Sequence, residues 1–194
     1  MVVPVSMAGQ VAVVAGSEAL VEALRAAGAT VPAAAGVLAS RSEADALFDP
    51  AIARIDLAVH AAVPDSALVK VPLVDLGEAE FDDVWEAIMR STLHFLQAAF
   101  ARMVDGGSVV IVVPSISATG APGQAAWAAA AEAQRILALS AARQWSGTGM
   151  RVNCVAYQAD SSARDVGQSI GLLARSILYG ATIPVGVATP ERVH

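Results

Sequence analysis

The chain has 194 residues but only one cysteine, one lysine, one asparagine and two tyrosines. Each shortage excludes something. Cys154 stands alone, so no internal disulfide can form, which fits a reducing compartment. With one cysteine and no His/Asp/Glu cluster along the chain, a metal site has no support. Charged residues make up 15% of the chain, the net charge is −6 and there are no basic runs, whereas phosphate binding needs clustered Lys and Arg. A nucleic-acid partner is therefore not expected. No uncharged apolar run reaches the roughly 18 residues of a membrane span, so no membrane role is expected either. The opening stretch lacks a basic region and reads directly into a strand, a poor signal peptide, which points to a cytoplasmic protein.

Apolar residues are abundant, at 56%. That excludes disorder, fits one domain over residues 1–194, and suggests more buried surface than a lone domain needs. Val11–Ala15 is an apolar run ending at Gly16 and reads as a buried strand. Glu18–Ala27 suits a helix closed by Gly28, and Thr30–Ala35 a strand weakened by Pro32. Ser42–Ala53 is a weaker helix and Ile55–Val63 another buried strand, followed by a short extended stretch at Val71–Asp75. Glu78–Met103 is the longest helix, with carboxylates at its start where the helix dipole favours them. Ser108–Val113, Arg151–Ala156 and Thr182–Val187 read as strands, and Gln124–Trp145 and Asp165–Leu178 as helices. Uniformly apolar strands alternating with helices predict a doubly wound parallel α/β sheet covered on both faces.

The order of segments resembles a short-chain dehydrogenase/reductase. VAVVAG stands where that family's first strand meets its glycine-rich turn. EFDDVWEAIMRSTLHFLQAAFARM is similar to its fourth helix, and GGSVVIVVPSISATGAPGQAAW to its fifth strand and catalytic loop. SAARQWSGTGMRVNCVA is similar to its fifth helix and sixth strand. The resemblance implies a Rossmann-like sheet, here trimmed. Too little chain lies between Ala35 and Ile55 for the usual edge strand, and the substrate lid after Tyr157 is reduced to a few residues around Ala159–Arg164.

Set against the family pattern, the functional positions differ. The turn that cradles the cofactor pyrophosphate reads Ala15-Gly16-Ser17-Glu18, with one glycine and a carboxylate where an anion is expected. By register, the family's Asn, Ser, Tyr and Lys fall on Ile88, Pro114 (with Ser115 adjacent), Trp127 and Ala131. An indole cannot exchange a proton near neutral pH, and alanine supplies no charge. No shift of register restores the pair, because four residues after Tyr157 and Tyr179 stand Ser161 and Ile183. Trp127 is expected to fill the vacated volume and seal the old pocket.

In this family the fourth and fifth helices pair between subunits. The first long helix here carries an apolar stripe from Phe81 to Met103 that includes Trp85, and Met89, Leu93 and Phe100 extend it onto a second face; on the second, alanines such as Ala133, with Leu137, allow close approach. The expectation is thus a pseudoenzyme, no enzyme by itself, that joins an active family paralogue in a heterotetramer through both helices. NAD(P) would sit in the partner, not in this chain. One heteromeric family enzyme, which acts on hydroxy(phenyl)methylsuccinyl-CoA in anaerobic toluene degradation, has a degenerate subunit of this kind. The alternatives are a cofactor-independent catalyst, such as a lyase, isomerase or cyclase, rebuilt around His60, Ser115, Tyr157 and Asp160, or a stand-alone ligand-binding protein. His60 reads as a buried, hydrogen-bonded histidine, and Cys154 as inert packing.

Overall fold

A computed structural model describes residues 5–103 and 106–185. Its sheet has six parallel strands: β1 (Val11–Ala15), β2 (Thr30–Ala35), β3 (Leu57–His60), β4 (Gly107–Pro114), β5 (Met150–Tyr157) and β6 (Thr182–Val185), in the order β2-β1-β3-β4-β5-β6. The strand order reverses between β1 and β3. At such a switch point the connections leave in opposite directions and open a crevice at the C-terminal ends of the strands.

Helices cover both faces. They are α1 (Glu18–Ala26), α2 (Arg41–Leu47), α3 (Asp65–Leu68), α4 (Glu78–Arg102), α5 (Ile116–Thr119), α6 (Ala125–Gln144) and α7 (Ala163–Arg175). Alternate strand residues face opposite sides. Val13, Ala58, Ile111 and Cys154 pack beneath α2, α4 and α6, while Val14, Val59, Val112 and Val155 pack beneath α1 and α7. The sheet is buried on both sides, which is why its strands are apolar without alternation. Pro32 is tolerated because β2 is an edge strand, where a missing N–H costs no central ladder bond.

Local chemistry sets the boundaries. Ser17 caps α1 by accepting a hydrogen bond from the Leu20 N–H. Beyond α1, Gly28 takes φ of +98°, and a Cβ there would sit 3.2 Å from the Ala8 nitrogen. The helix read over Ser42–Ala53 stops at Leu47. From there Arg102 on α4 holds the chain, donating to the carbonyls of Phe48, Asp49 and Ile52. The strand read over Ile55–Val63 is only four residues long. α7 starts at Ala163, two residues earlier than read, because Ser162 caps it. α3 and α5 have four residues each, too short for a helical period to show in sequence. The last two residues of the Thr182–Val187 strand reading lie outside the described residues.

The trimming shows directly. One helix, α2, fills the connection from β2 to β3, and five residues, 158–162, join β5 to α7. Asn153 secures the far edge: its side-chain amide donates to the Leu178 carbonyl at 2.9 Å and its oxygen accepts from the Ala181 N–H at 2.9 Å. Between α4 and α6, Gln134 donates to the Thr92 hydroxyl at 2.7 Å, and that hydroxyl donates to the Ile88 carbonyl at 2.8 Å.

Candidate functional site

A cleft of about 440 Å³ opens at the switch point. Gly16 and Ser17 after β1, Gly36 and Val37 after β2, and Ala61–Val63 after β3 line one part. Val112, Tyr157 and the start of α7 line the rest, and Leu68 stands at it with 56% of its surface exposed. Gly16 brings the β1 turn close to β3, since a Cβ there would meet that of Ala61 at 3.2 Å. A Cβ on Gly36 would meet nothing within 4 Å. The cleft is therefore tight at its floor and open at its side.

The residues read from sequence separate. His60 and Tyr157 both end strands, but on opposite faces. His60 follows Ala58 toward α4, is fully buried, hydrogen-bonds Ser91 Oγ through Nε2 at 2.9 Å and meets the edge of Phe95 at 5.2 Å between centroids. Desolvation holds its pKa down at about 4, so the ring is neutral near pH 7. Tyr157 follows Val155 toward α1 and α7 and lines the cleft. Burial pushes its phenol pKa up. Ser115 and His60 do not pair: the hydrogen bond of His60 goes to Ser91, while the Ser115 N–H donates to the Tyr157 carbonyl. Asp160 is exposed. His194 lies outside the described residues. Cys154 is buried in β5, with its thiol pushed up to about 12 by desolvation.

Of the four positions in register with the family tetrad, Ile88 and Ala131 are core residues and Pro114 ends β4. Trp127 sits half-buried against α3 and α4, lining a smaller pocket of about 160 Å³ with Glu80 and Asp83. It does not wall the switch-point cleft, so the expectation that it seals the old pocket is corrected: the cleft is open. Sequence reading also missed Gly36, Val37 and Leu68. The signal was available, since ligands bind where strands end at a switch point.

Among the interface candidates, Leu93 and Phe100 are 43% and 42% exposed on α4. Ile136 on α6, not singled out from the sequence, is 47% exposed. Trp85, Met89, Ala133 and Leu137 are half-buried; Trp85 stacks on Phe81, and Leu137 packs against the core. Among the described residues no helix is long and apolar enough to cross a membrane, and no three His, Cys, Asp or Glu side chains gather to hold a metal ion.

The cleft can be tested against a dinucleotide. Among the described residues no Lys, Arg or His lines it. At the N-terminus of α1 the Leu20 N–H is occupied by Ser17, and the exposed Glu18 carboxylate pairs with Arg25 at 3.5 Å. A helix N-terminus attracts anions through its backbone N–H groups, and here the nearby Glu18 carboxylate, outside the cleft lining, is paired with Arg25. The described lining offers a pyrophosphate no cationic side chain.

The fold and the switch-point cleft define a doubly wound α/β protein. A family model described as enoyl-(acyl carrier protein) reductase matches residues 7–163. The chain belongs to the short-chain dehydrogenase/reductase family, a family of oxidoreductases. The solved structure of a dehydrogenase/reductase from Sinorhizobium meliloti 1021 is similar, with a TM-score of 0.79 and 19% identity over 94% of this chain and 95% of that one. At that identity the likeness shows the fold. Among curated proteins no sequence match is found. The family match overturns the expectation that this chain is by itself no enzyme, because the matched family is one of reductases.

Proposed function

We propose that this chain is a working subunit of an NAD(P)-dependent oxidoreductase acting on a hydroxyl/carbonyl couple, with a hydroxyacyl-CoA as one candidate substrate, and that an intact family paralogue in the same assembly holds the dinucleotide. The observation that carries this reading is the uncharged switch-point cleft, which offers a pyrophosphate no cation. In an oxidoreductase family, such a cleft supports the reading that a second chain holds the hydride carrier. Leu93, Phe100 and Ile136 supply exposed apolar area on α4 and α6 for pairing, the composition expected of a subunit interface. A heterotetramer follows if both helices pair.

The test is co-expression with an intact family member encoded beside this chain, then size-exclusion chromatography with mass determination and NAD(P)H titration of each component. The expected result is a mixed oligomer in which the paralogue binds the dinucleotide. A chain that stays alone, or that saturates with NAD(P)H by itself, overturns the reading.

One observation favours a second reading. The cleft is open and Tyr157 lines it, so the chain could carry out its own chemistry there without a nicotinamide, as a lyase, isomerase or cyclase does. In that reading catalytic turnover of an isolated substrate survives removal of all nucleotide.

A further inference from the structure

Within the switch-point cleft the hydroxyls are not equivalent. Ser17 Oγ accepts from the Leu20 N–H. Ser161 Oγ accepts from the Gln158 N–H and donates to the Val185 carbonyl, so both its roles are used. Among the described residues, the Tyr157 hydroxyl has no hydrogen-bond partner, and its ring packs against the apolar side chains beneath α1 and α7. The remaining walls are apolar, including Leu20, Val37, Leu68, Val112 and Val166. A concave apolar site with few convergent polar groups is the usual form of a small-molecule site, and the polar group fixes orientation.

We propose that this cleft binds an uncharged, mainly apolar carbonyl compound, an aryl ketone or an acyl group, whose oxygen accepts a hydrogen bond from the Tyr157 hydroxyl. Charge excludes the alternatives. A phosphate or carboxylate would be desolvated with no cationic side chain among the described wall residues to meet it. A cationic ligand would find no carboxylate among the described wall residues. The site does not depend on subunit pairing, because it lies on the α1/α7 side while the exposed residues of α4 and α6 lie on the other.

The experiment uses prodan, a neutral naphthyl ketone whose emission moves to the blue on leaving water and back toward the red when its carbonyl accepts a hydrogen bond. Titrated with the full chain, prodan is expected to saturate with blue-shifted emission, and NADH is expected not to displace it. Tyr157→Phe keeps the ring and removes the donor. It should weaken binding by about tenfold and move the emission further to the blue. Gly36→Trp adds an indole where a Cβ has open space and should abolish binding. Ala163→Trp at the start of α7 fills the cleft from the other wall and serves where circular dichroism shows Gly36→Trp unfolded. Absence of saturation, displacement by NADH, unchanged binding in the folded tryptophan variant, or unchanged affinity and colour in Tyr157→Phe each overturns the proposal. The mass of the co-expressed assembly is read separately, so failure of pairing and failure of this site are told apart.

Discussion

The two faces of the sheet treat the same kind of residue in opposite ways. His60 ends β3 and Tyr157 ends β5, both at the edge where doubly wound sheets bind ligands. His60 turns to the α4 side and is fully buried between Ser91 and Phe95. Tyr157 turns to the α1/α7 side and lines an open cleft. Position along a strand brings a side chain to the functional edge. Parity, the alternation of faces, then decides whether it becomes core or site.

The largest effect expected of this comparison falls on the closed face. Phe95 is fully buried and meets the edges of both Phe48 and His60 at 5.2 Å between centroids. Phe95→Ala should cost about 3–5 kcal/mol, the loss of a large buried ring plus its cavity. Urea unfolding checks this, and a cost below about 1 kcal/mol would show that the α4 side is as loosely packed as the cleft.

His60 gives the next effect, through pH. Burial lowers its folded pKa from the ordinary 6.5 to about 4. The unfolded chain therefore takes up a proton first as pH falls. The neutral folded histidine costs nothing above pH 6.5, and stability drops from there until the folded ring protonates near pH 4. At about 1.4 kcal/mol per pH unit the loss is on the order of 3 kcal/mol. Urea midpoints across this range should fall in the native chain, and His60→Gln should remove that part of the slope. An unchanged slope in the variant would assign the acid sensitivity elsewhere.

Asn153 sharpens the comparison at the sheet edge. It makes two hydrogen bonds to the segment that leads into β6 and is almost fully buried. Asn153→Ala leaves the Ala181 N–H and the Leu178 carbonyl without these partners and should cost about 2 kcal/mol. Hydrogen exchange should show the loss concentrated in β6. Uniform loss of protection would mean that β6 unfolds only with the whole sheet.

Much of this fold was legible in the sequence because its strongest signals are local. VAVVA and SVVIVV are apolar without alternation and became β1 and β4. The carboxylates of Glu78 and Glu80 marked the start of α4 within a residue. The site was less legible because its walls come from chain segments far apart. Gly36 and Val166 carry no motif, and only the strand order makes them neighbours. Trp127 was misplaced for a related reason: register along α6 fixes a residue's position but not which neighbouring helix its indole packs against, and here it lies against α3 and α4. The end of α2 was missed because the hydrogen bonds from Arg102 that hold the next segment come from 54, 53 and 50 residues away.

The smallest stability effect is expected at Tyr157, and its smallness is the point. Its hydroxyl has no hydrogen-bond partner among the described residues, so Tyr157→Phe should change stability by no more than about 0.5 kcal/mol, the range of changes away from buried polar networks. Desolvation raises the pKa of this phenol. In a spectrophotometric alkaline titration the native chain should therefore show a phenol ionising later than an ordinary tyrosine, and Tyr157→Phe should remove it. A neutral hydroxyl at ordinary pH, held by packing and without a partner among the described residues, is a group kept available for something outside the chain. A stability loss approaching that of Asn153→Ala would mean instead that Tyr157 is bonded within the protein, and the contrast between the two faces would then disappear.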